Sequence, residues 1–271
     1  MIATAEPAAP RQASTQELLE HVSASRLIAF QTCRLKFYFR YVLRLTKAKT
    51  PALHVGSTVH SVLQKYNLMR WHSGTFDLKQ LKQHFQKKWL EEQAEEKVTW
   101  DDGEEEGSKQ SAWTMLETYF DQSPIDLKEK PEAVEVTVDA DLASHGLPRL
   151  VGIIDLVREG GRIIDYKTSA QTPNSERVGH LNDTQLSCYG VLYREAVGRP
   201  ESGFELHHLV KLKTPKIIVT SFGPMTEHQE TRLFKIIESY VNGLQRGDWI
   251  PSPSPMACAC CEFFNECRAW H

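Results

Sequence analysis

The chain has 271 residues, 41% hydrophobic and 25% charged, enough for one large domain or two small ones with a packed core. Lys and Arg number 32 against 35 Asp and Glu, a net charge of −3, so nucleic-acid binding has to come from a local basic patch rather than from global charge. No run approaches the roughly 18 apolar residues of a membrane helix, and the opening MIATAEPAAPRQAST lacks a secretory signal, so a cytoplasmic protein with no membrane contact is expected, its six cysteines reduced and available as metal ligands.

Residues 1–20, rich in Ala, Pro, Gln and Thr, read as a flexible tail, and 21–271 as a single domain that includes a cysteine cluster at 256–271. From Ser25 the pattern turns helical, and Lys36, Arg40 and Arg44 fall at i, i+4 and i+8, which places them on one stripe, either a solvated face or a phosphate track. GSTVHSVLQKY, from Gly56, carries an apolar helical seam of Val59, Val62, Leu63 and Tyr66 with His60 at its border. Residues 76–98 continue as amphipathic helix, and DDGEEEG at 101–107 reads as an acidic loop. AVEVTVDADL at 133–142 alternates as a half-buried strand, and two strands follow in GIIDLVREGGRIIDYKT at 152–168. Helix returns at 181–198, a strand pair is expected across 203–221, and 231–247 is an amphipathic helix with Gly247 at its stop. The PSPSP segment is a stiff linker into CACCEFFNECRAWH. Helices, a run of strands, then mixed elements suggest an α/β fold.

The hairpin raises the chemical question, because its two apolar runs end at Asp155 and Asp165, and buried carboxylates need compensation. Side chains two apart share a strand face, so Asp165 and Lys167 point the same way. A two-residue Gly160-Gly161 turn pairs Asp155 with Tyr166 and sends the acids to opposite faces. A three-residue loop from Glu159 to Gly161, with Gly161 left-handed, pairs Asp155 with Asp165; a longer odd loop does the same and relieves the Arg158/Arg162 juxtaposition. Facing carboxylates repel unless a cation sits between them, and hard oxygen donors suit Mg²⁺ or Mn²⁺. Lys167 beside such an ion can orient a water or stabilise charge on a phosphate. The bland alternative makes Asp155 a strand-end residue and Asp165 to Lys167 a chance D-x-K.

An Asp after an apolar strand, a hairpin, and a second strand ending Asp-x-Lys resemble the PD-(D/E)xK nuclease superfamily. Four further features resemble its RecB-type branch, which includes the nuclease domains of bacterial helicase-nucleases and the CRISPR-associated iron-sulfur exonucleases. They are GSTVH with His60, the Gln185-x-x-x-Tyr189 pair, the segment SASRLIAFQTCRLKFYFRYV around Cys33, and Cys258-x2-Cys261-x5-Cys267. The resemblance implies a restriction-endonuclease-like core, a mixed central sheet flanked by helices, with an iron-sulfur staple joining the N- and C-terminal segments. It implies Asp155, Asp165, Lys167, Gln185 and Tyr189 as catalytic residues, and His60, Asp155, Asp165 and the Tyr166 carbonyl as ligands for Mg²⁺ or Mn²⁺. Cys33, Cys258, Cys261 and Cys267 would hold a 4Fe-4S cluster, with zinc as the alternative and Cys260 as an extra thiol able to exchange with a neighbour. Glu135 is nominated as an additional acid, although strand alternation alone leaves it exposed. The implied function is a metal-dependent DNA nuclease, an exonuclease on single-stranded DNA or DNA ends in recombination, repair or related processing. A non-catalytic DNA-binding or scaffold subunit is the alternative. No G-x-x-x-x-G-K-[ST] phosphate loop occurs, so any helicase or integrase would be a separate partner.

Overall fold

The structure is a computed structural model that describes residues 12–270, so the first eleven residues of the expected tail lie outside the described residues. The described chain divides into two compact units: 48–140 with 152–230, and the remainder, made of the residues up to Lys47, Asp141–Val151 and those from Thr231 on. No helix among the described residues is long and apolar enough to cross a membrane.

In the second of these units the expected tail already folds at Ser14. Ser14 and Glu17 form a reciprocal capping box, Glu17 N donating to Ser14 Oγ at 3.1 Å and Ser14 N to Glu17 Oε2 at 2.7 Å, and start helix α1, Thr15–Leu19. The S-x-x-E signature was present in the sequence, and Leu18, almost fully buried, anchors the turn. Strand β1, His21–Val22, pairs in parallel with Arg149 and Leu150. Helices α2, Ala24–Thr32, and α3, Arg34–Phe37, meet at Cys33, and a π-helical turn, Tyr38–Val42, follows.

The larger unit opens with α4, Pro51–Ser73, which Thr50 caps and Pro51 begins, and which ends at Gly74 in the left-handed region, φ 65°. The seam read from the sequence, Val59, Val62, Leu63 and Tyr66, is wholly buried. Helix α5 is Leu78–Glu95. The expected acidic loop is a loop only to Gly103: Glu104, Glu105 and Glu106 form the first turn of α6, Glu104–Gln122. Negative charge at a helix N-terminus is favoured by the backbone dipole, which a reading of charge runs as solvated loops overlooks.

Strands β2, Ala133–Ala140, β3, Arg149–Arg158, β4, Arg162–Ser169, β5, Gly203–Val210, and β6, Lys216–Phe222, make a mixed sheet. Strand β2 lies beside β3, β3 and β4 are antiparallel, β4 and β5 parallel, and β5 and β6 antiparallel. Every residue of β5 is buried, as expected of an interior strand covered on both faces. Leu156, Ile164, Tyr166 and Leu209 pack against Val59 and Leu63 of α4, Trp89 of α5, and Leu116 and Tyr119 of α6. Helix α7, Val178–Val197, supplies the other layer: its Gly179 lies against Phe222, and its Leu192 fills the space a side chain at Gly152 would need. Helix α8, Glu227–Arg246, ends at Gly247, φ 66°, with Leu233, Ile237, Tyr240 and Leu244 buried and Ile236 half-buried. The C-terminal stretch adds the short helices α9, Pro255–Ala259, and α10, Phe264–Ala269.

Candidate active site

The hairpin register decides whether the two aspartates can act together. Leu156 pairs with Ile164, Val157 with Ile163 and Arg158 with Arg162, which leaves the three-residue loop Glu159 to Gly161 and a register that, continued by one pair, brings Asp155 to Asp165. Gly160 and Gly161 have φ of 82° and 78°, a conformation other residues adopt only at a cost, and Tyr193 packs against the second. The Arg158/Arg162 juxtaposition is not relieved by a longer loop. Glu205 bridges it instead, 3.3 Å from Arg158 Nη1 and 3.8 Å from Arg162 Nη1, while Glu129 takes Arg158 at 2.6 Å.

At Asp155 the regular pairing of β3 with β4 stops. Its Oδ2 accepts the Tyr166 N–H at 2.9 Å, so a side chain takes the place of a ladder carbonyl and the strands part. His60 of α4 reaches the same oxygen, Nδ1 to Oδ2 at 3.4 Å. Burial opposes charge on His60, but the hydrogen bond and charge of Asp155 outweigh it and raise the imidazole pKa.

Asp165 is 2% exposed and sits in a network that α7 completes. Gln185 Nε2 donates to Asp165 Oδ1 at 2.8 Å, Tyr189 Oη donates to the same oxygen at 3.1 Å, and Gln185 Nε2 also contacts Tyr189 Oη at 2.8 Å. Lys167 Nζ donates to Gln185 Oε1 at 2.7 Å and stands 2.7 Å from Asp165 Oδ2. Spacing of i and i+4 on a helix brings the amide and phenol of Q-x-x-x-Y to one carboxylate. Burial raises the Asp165 pKa, with Lys167 opposing and Asp155 adding to the shift.

Glu135, which strand alternation left in solvent, is half-buried and feels the charges of Asp155 and His60. Its φ is 49°, one of two left-handed non-glycine residues among those described, and a left-handed residue within a strand breaks the alternation from which its facing was read. Burial, then the charge of Asp155, raises its pKa against the opposing field of His60. Behind β4, residues that sequence reasoning missed hold the Tyr166 phenol. Asn67 Nδ2 donates to Tyr166 Oη at 2.9 Å, Tyr119 Oη lies 3.4 Å from it, and Tyr119 continues to His207 Nδ1 at 2.9 Å and on to Glu205, 3.0 Å from His207 Nε2. Asn67 is two helical turns from His60, the one signal that was available.

Among the described residues no group of three or more His, Cys, Asp or Glu could hold a metal ion as it stands. The acidic centre nonetheless fits a hard divalent cation, because Asp165 Oδ2 is buried and, apart from the Lys167 ammonium 2.7 Å away, has no hydrogen-bond partner among the described residues. Two carboxylates, an imidazole and a carbonyl are the donor set such ions take.

The model of the PD-(D/E)XK nuclease superfamily matches residues 21–268. The chain belongs to this superfamily. The fold of this nuclease is similar to that of a crystal structure from Eubacterium rectale described as "Putative exonuclease", at 18% identity and a TM-score of 0.62, covering 93% of this chain and 90% of that one. A second solved structure, SSO0001, aligns at 15% identity and a TM-score of 0.37 over 87% of this chain and 92% of that one. No curated protein matches.

The nuclease also gathers its cysteines. Cys33, Cys258, Cys261 and Cys267 line one pocket with Phe39 and Phe263, and the Cys267 thiol is raised by burial and by the nearness of the other three. Cys33 Sγ accepts the N–H groups of Lys36 at 3.5 Å and Ser252 at 3.4 Å. Cys260 is exposed and does not line the pocket, and Cys188 is fully buried, its thiol pushed up to about 12.

The expected phosphate track is not a row of free cations. Lys36 Nζ lies 2.9 Å from Glu262, Arg40 also pairs with Glu262, and Arg44 Nη2 is 3.7 Å from Glu17. The acids come from the C-terminal segment and from the supposed tail, so a helical wheel of residues 34–44 could not reveal them.

Proposed function

We propose that this nuclease is a metal-dependent deoxyribonuclease, an exonuclease hydrolysing phosphodiester bonds of single-stranded DNA or DNA ends in recombination, repair or related DNA processing. The observation that supports the reading is the three-residue loop, whose register leads to Asp155 and Asp165, with His60 3.4 Å from Asp155 and Lys167 2.7 Å from Asp165.

Asp155, Asp165, His60 and the Tyr166 carbonyl would hold Mg²⁺ or Mn²⁺, with Glu135 as an additional acid. Bound there, the ion supplies Lewis-acid stabilisation of phosphate charge and an acidified water. Lys167 is held between Asp165 and Gln185, so its ammonium keeps a fixed direction toward the attacking water and the phosphate oxygens. Gln185 orients both members of the pair, and Tyr189 limits the freedom of Asp165 from the helix side. The Tyr166 N–H locks the Asp155 carboxylate, and Asn67 and Tyr119 lock Tyr166 from behind.

The four-cysteine pocket would hold a 4Fe-4S cluster: its donors are soft thiolates, it is partly apolar, and backbone N–H groups point at one sulfur. Such a cluster would tie Cys33 to the C-terminal segment within one unit.

The test is digestion of end-labelled single- and double-stranded oligonucleotides with Mn²⁺, Mg²⁺ or EDTA. Metal-dependent shortening from a labelled end, abolished by Asp165→Ala and Lys167→Ala in folded protein, is the expected result. Full cleavage by either variant, or none by the wild type with any ion, overturns the reading.

A further inference from the structure

The candidate track at Lys36, Arg40 and Arg44 is neutralised, yet a strand placed at an acidic centre still needs cations for its phosphates. The larger unit offers them in the turn between β5 and β6 and at the first residue of β6, KLKTPK, Lys211 to Lys216. Lys211, Lys213 and Lys216 are all exposed, and among the described residues none of the three makes an ion pair.

The turn is tied to the catalytic strand by backbone. Val210 pairs with Ser169, and the N–H of Lys211 donates to the Ser169 carbonyl at 2.7 Å, which extends the parallel ladder of β4 and β5 past its last pair. Lys167 is in register with His208, so Lys211 lies three residues further along, about 10 Å at the rise of a strand. That span equals roughly three nucleotides at 3.4 Å each. Lys211 also lines an open pocket of about 190 Å³ with Thr168, Ser169, Ala170 and Pro51, where Glu104 is the acid at the wall. Past Lys167 on the strand, Thr168, Ser169 and Lys211 thus line one pocket, and the turn beyond it, with the first residue of β6, adds two more exposed lysines.

We propose that the β5–β6 turn is the phosphate-binding surface for the nucleic-acid strand, engaging the backbone a few nucleotides from the bond to be cleaved. The inference rests on the nuclease reading and deepens it. Lysines on a turn contact phosphates without reading bases, so the contribution is independent of sequence and dependent on salt.

The experiment uses the full chain and a fluorescein-labelled single-stranded oligonucleotide, with binding followed by anisotropy in EDTA between 50 and 300 mM salt and cleavage followed with Mn²⁺. Removing three phosphate contacts should lower the slope of log affinity against log salt by about 2, at roughly 0.7 per contact for a single strand. The triple variant Lys211→Ala, Lys213→Ala, Lys216→Ala is expected to lose at least tenfold in affinity and to raise KM, and the triple Lys→Arg variant to recover both. An unchanged slope and KM in the alanine variant, with wild type binding and cleaving, overturns the surface and leaves the nuclease reading intact. Failure of the arginine variant to recover binding while it folds as wild type also overturns it, since charge is then not the cause. Wild type that neither binds nor cleaves overturns both.

Discussion

Replacing Gln185 with leucine removes one amide that serves three partners: Asp165 and Tyr189, each at 2.8 Å, and Lys167 at 2.7 Å. The change roughly conserves volume, so the packing of α7 on the sheet is kept. Two of the lost hydrogen bonds end on charged groups, each worth about 1.5–3 kcal/mol. If the bond to Lys167 alone is lost in full from the transition state, kcat falls about 10- to 150-fold at 1.36 kcal/mol per decade. The loss belongs in kcat rather than KM, because Gln185 orients Lys167 rather than holding the strand. Gln185→Glu offers Lys167 an acceptor but turns the donor to Asp165 into a like charge, so it is not expected to rescue the rate. Single-turnover cleavage of an end-labelled oligonucleotide at saturating Mn²⁺ measures this directly. A Gln185→Leu enzyme with kcat within twofold of wild type would refute the role given to the Lys167, Gln185 and Asp165 network.

Glu135→Asn should place a residue that tolerates left-handed backbone where φ is 49° and remove a carboxylate that Asp155 repels. About 1 kcal/mol of relief would raise Tm by roughly 2–4 °C in a chain this size, while cleavage declines; a lower Tm with undiminished cleavage would show that the left-handed Glu135 does not serve the site. Cys258→Ser should abolish visible absorption near 400 nm in anaerobically purified protein and lower Tm, whereas Cys260→Ser should leave both unchanged, because Cys260 lies outside the pocket; equal loss in the two would reassign the ligands. Burial lowers the His207 pKa against the opposing hydrogen bond and charge of Glu205. Its pKa rises toward 6.5 on unfolding, so its contribution to stability is present above that value and drains away as pH falls below it. Urea midpoints should therefore increase between pH 5 and pH 7, and His207→Asn, which loses the titrating group, should show a shallower dependence.

The sequence by itself determined much of this molecule wherever function depends on residues close together in the chain. The apolar seam of α4 and the Gly247 stop follow from periodicity and from what glycine alone does cheaply. The Q-x-x-x-Y pair meets one carboxylate because helical spacing leaves little choice. Periodicity could not choose between a two-residue and a three-residue hairpin loop, and that choice fixes whether the acids share a face. Only the tertiary structure decided it, along with the parting of the strands at Asp155 and the left-handed backbone of Glu135. It also set Glu262 and Glu17 against a stripe of cations, and Asn67, Tyr119 and His207 behind Tyr166. These partners are 27 to 226 positions apart, read from Arg44 with Glu17 and Lys36 with Glu262. A one-dimensional pattern records what a residue can do locally, whereas counter-charges and buried hydrogen-bond partners are chosen by whichever distant segments the packed core brings to the same place.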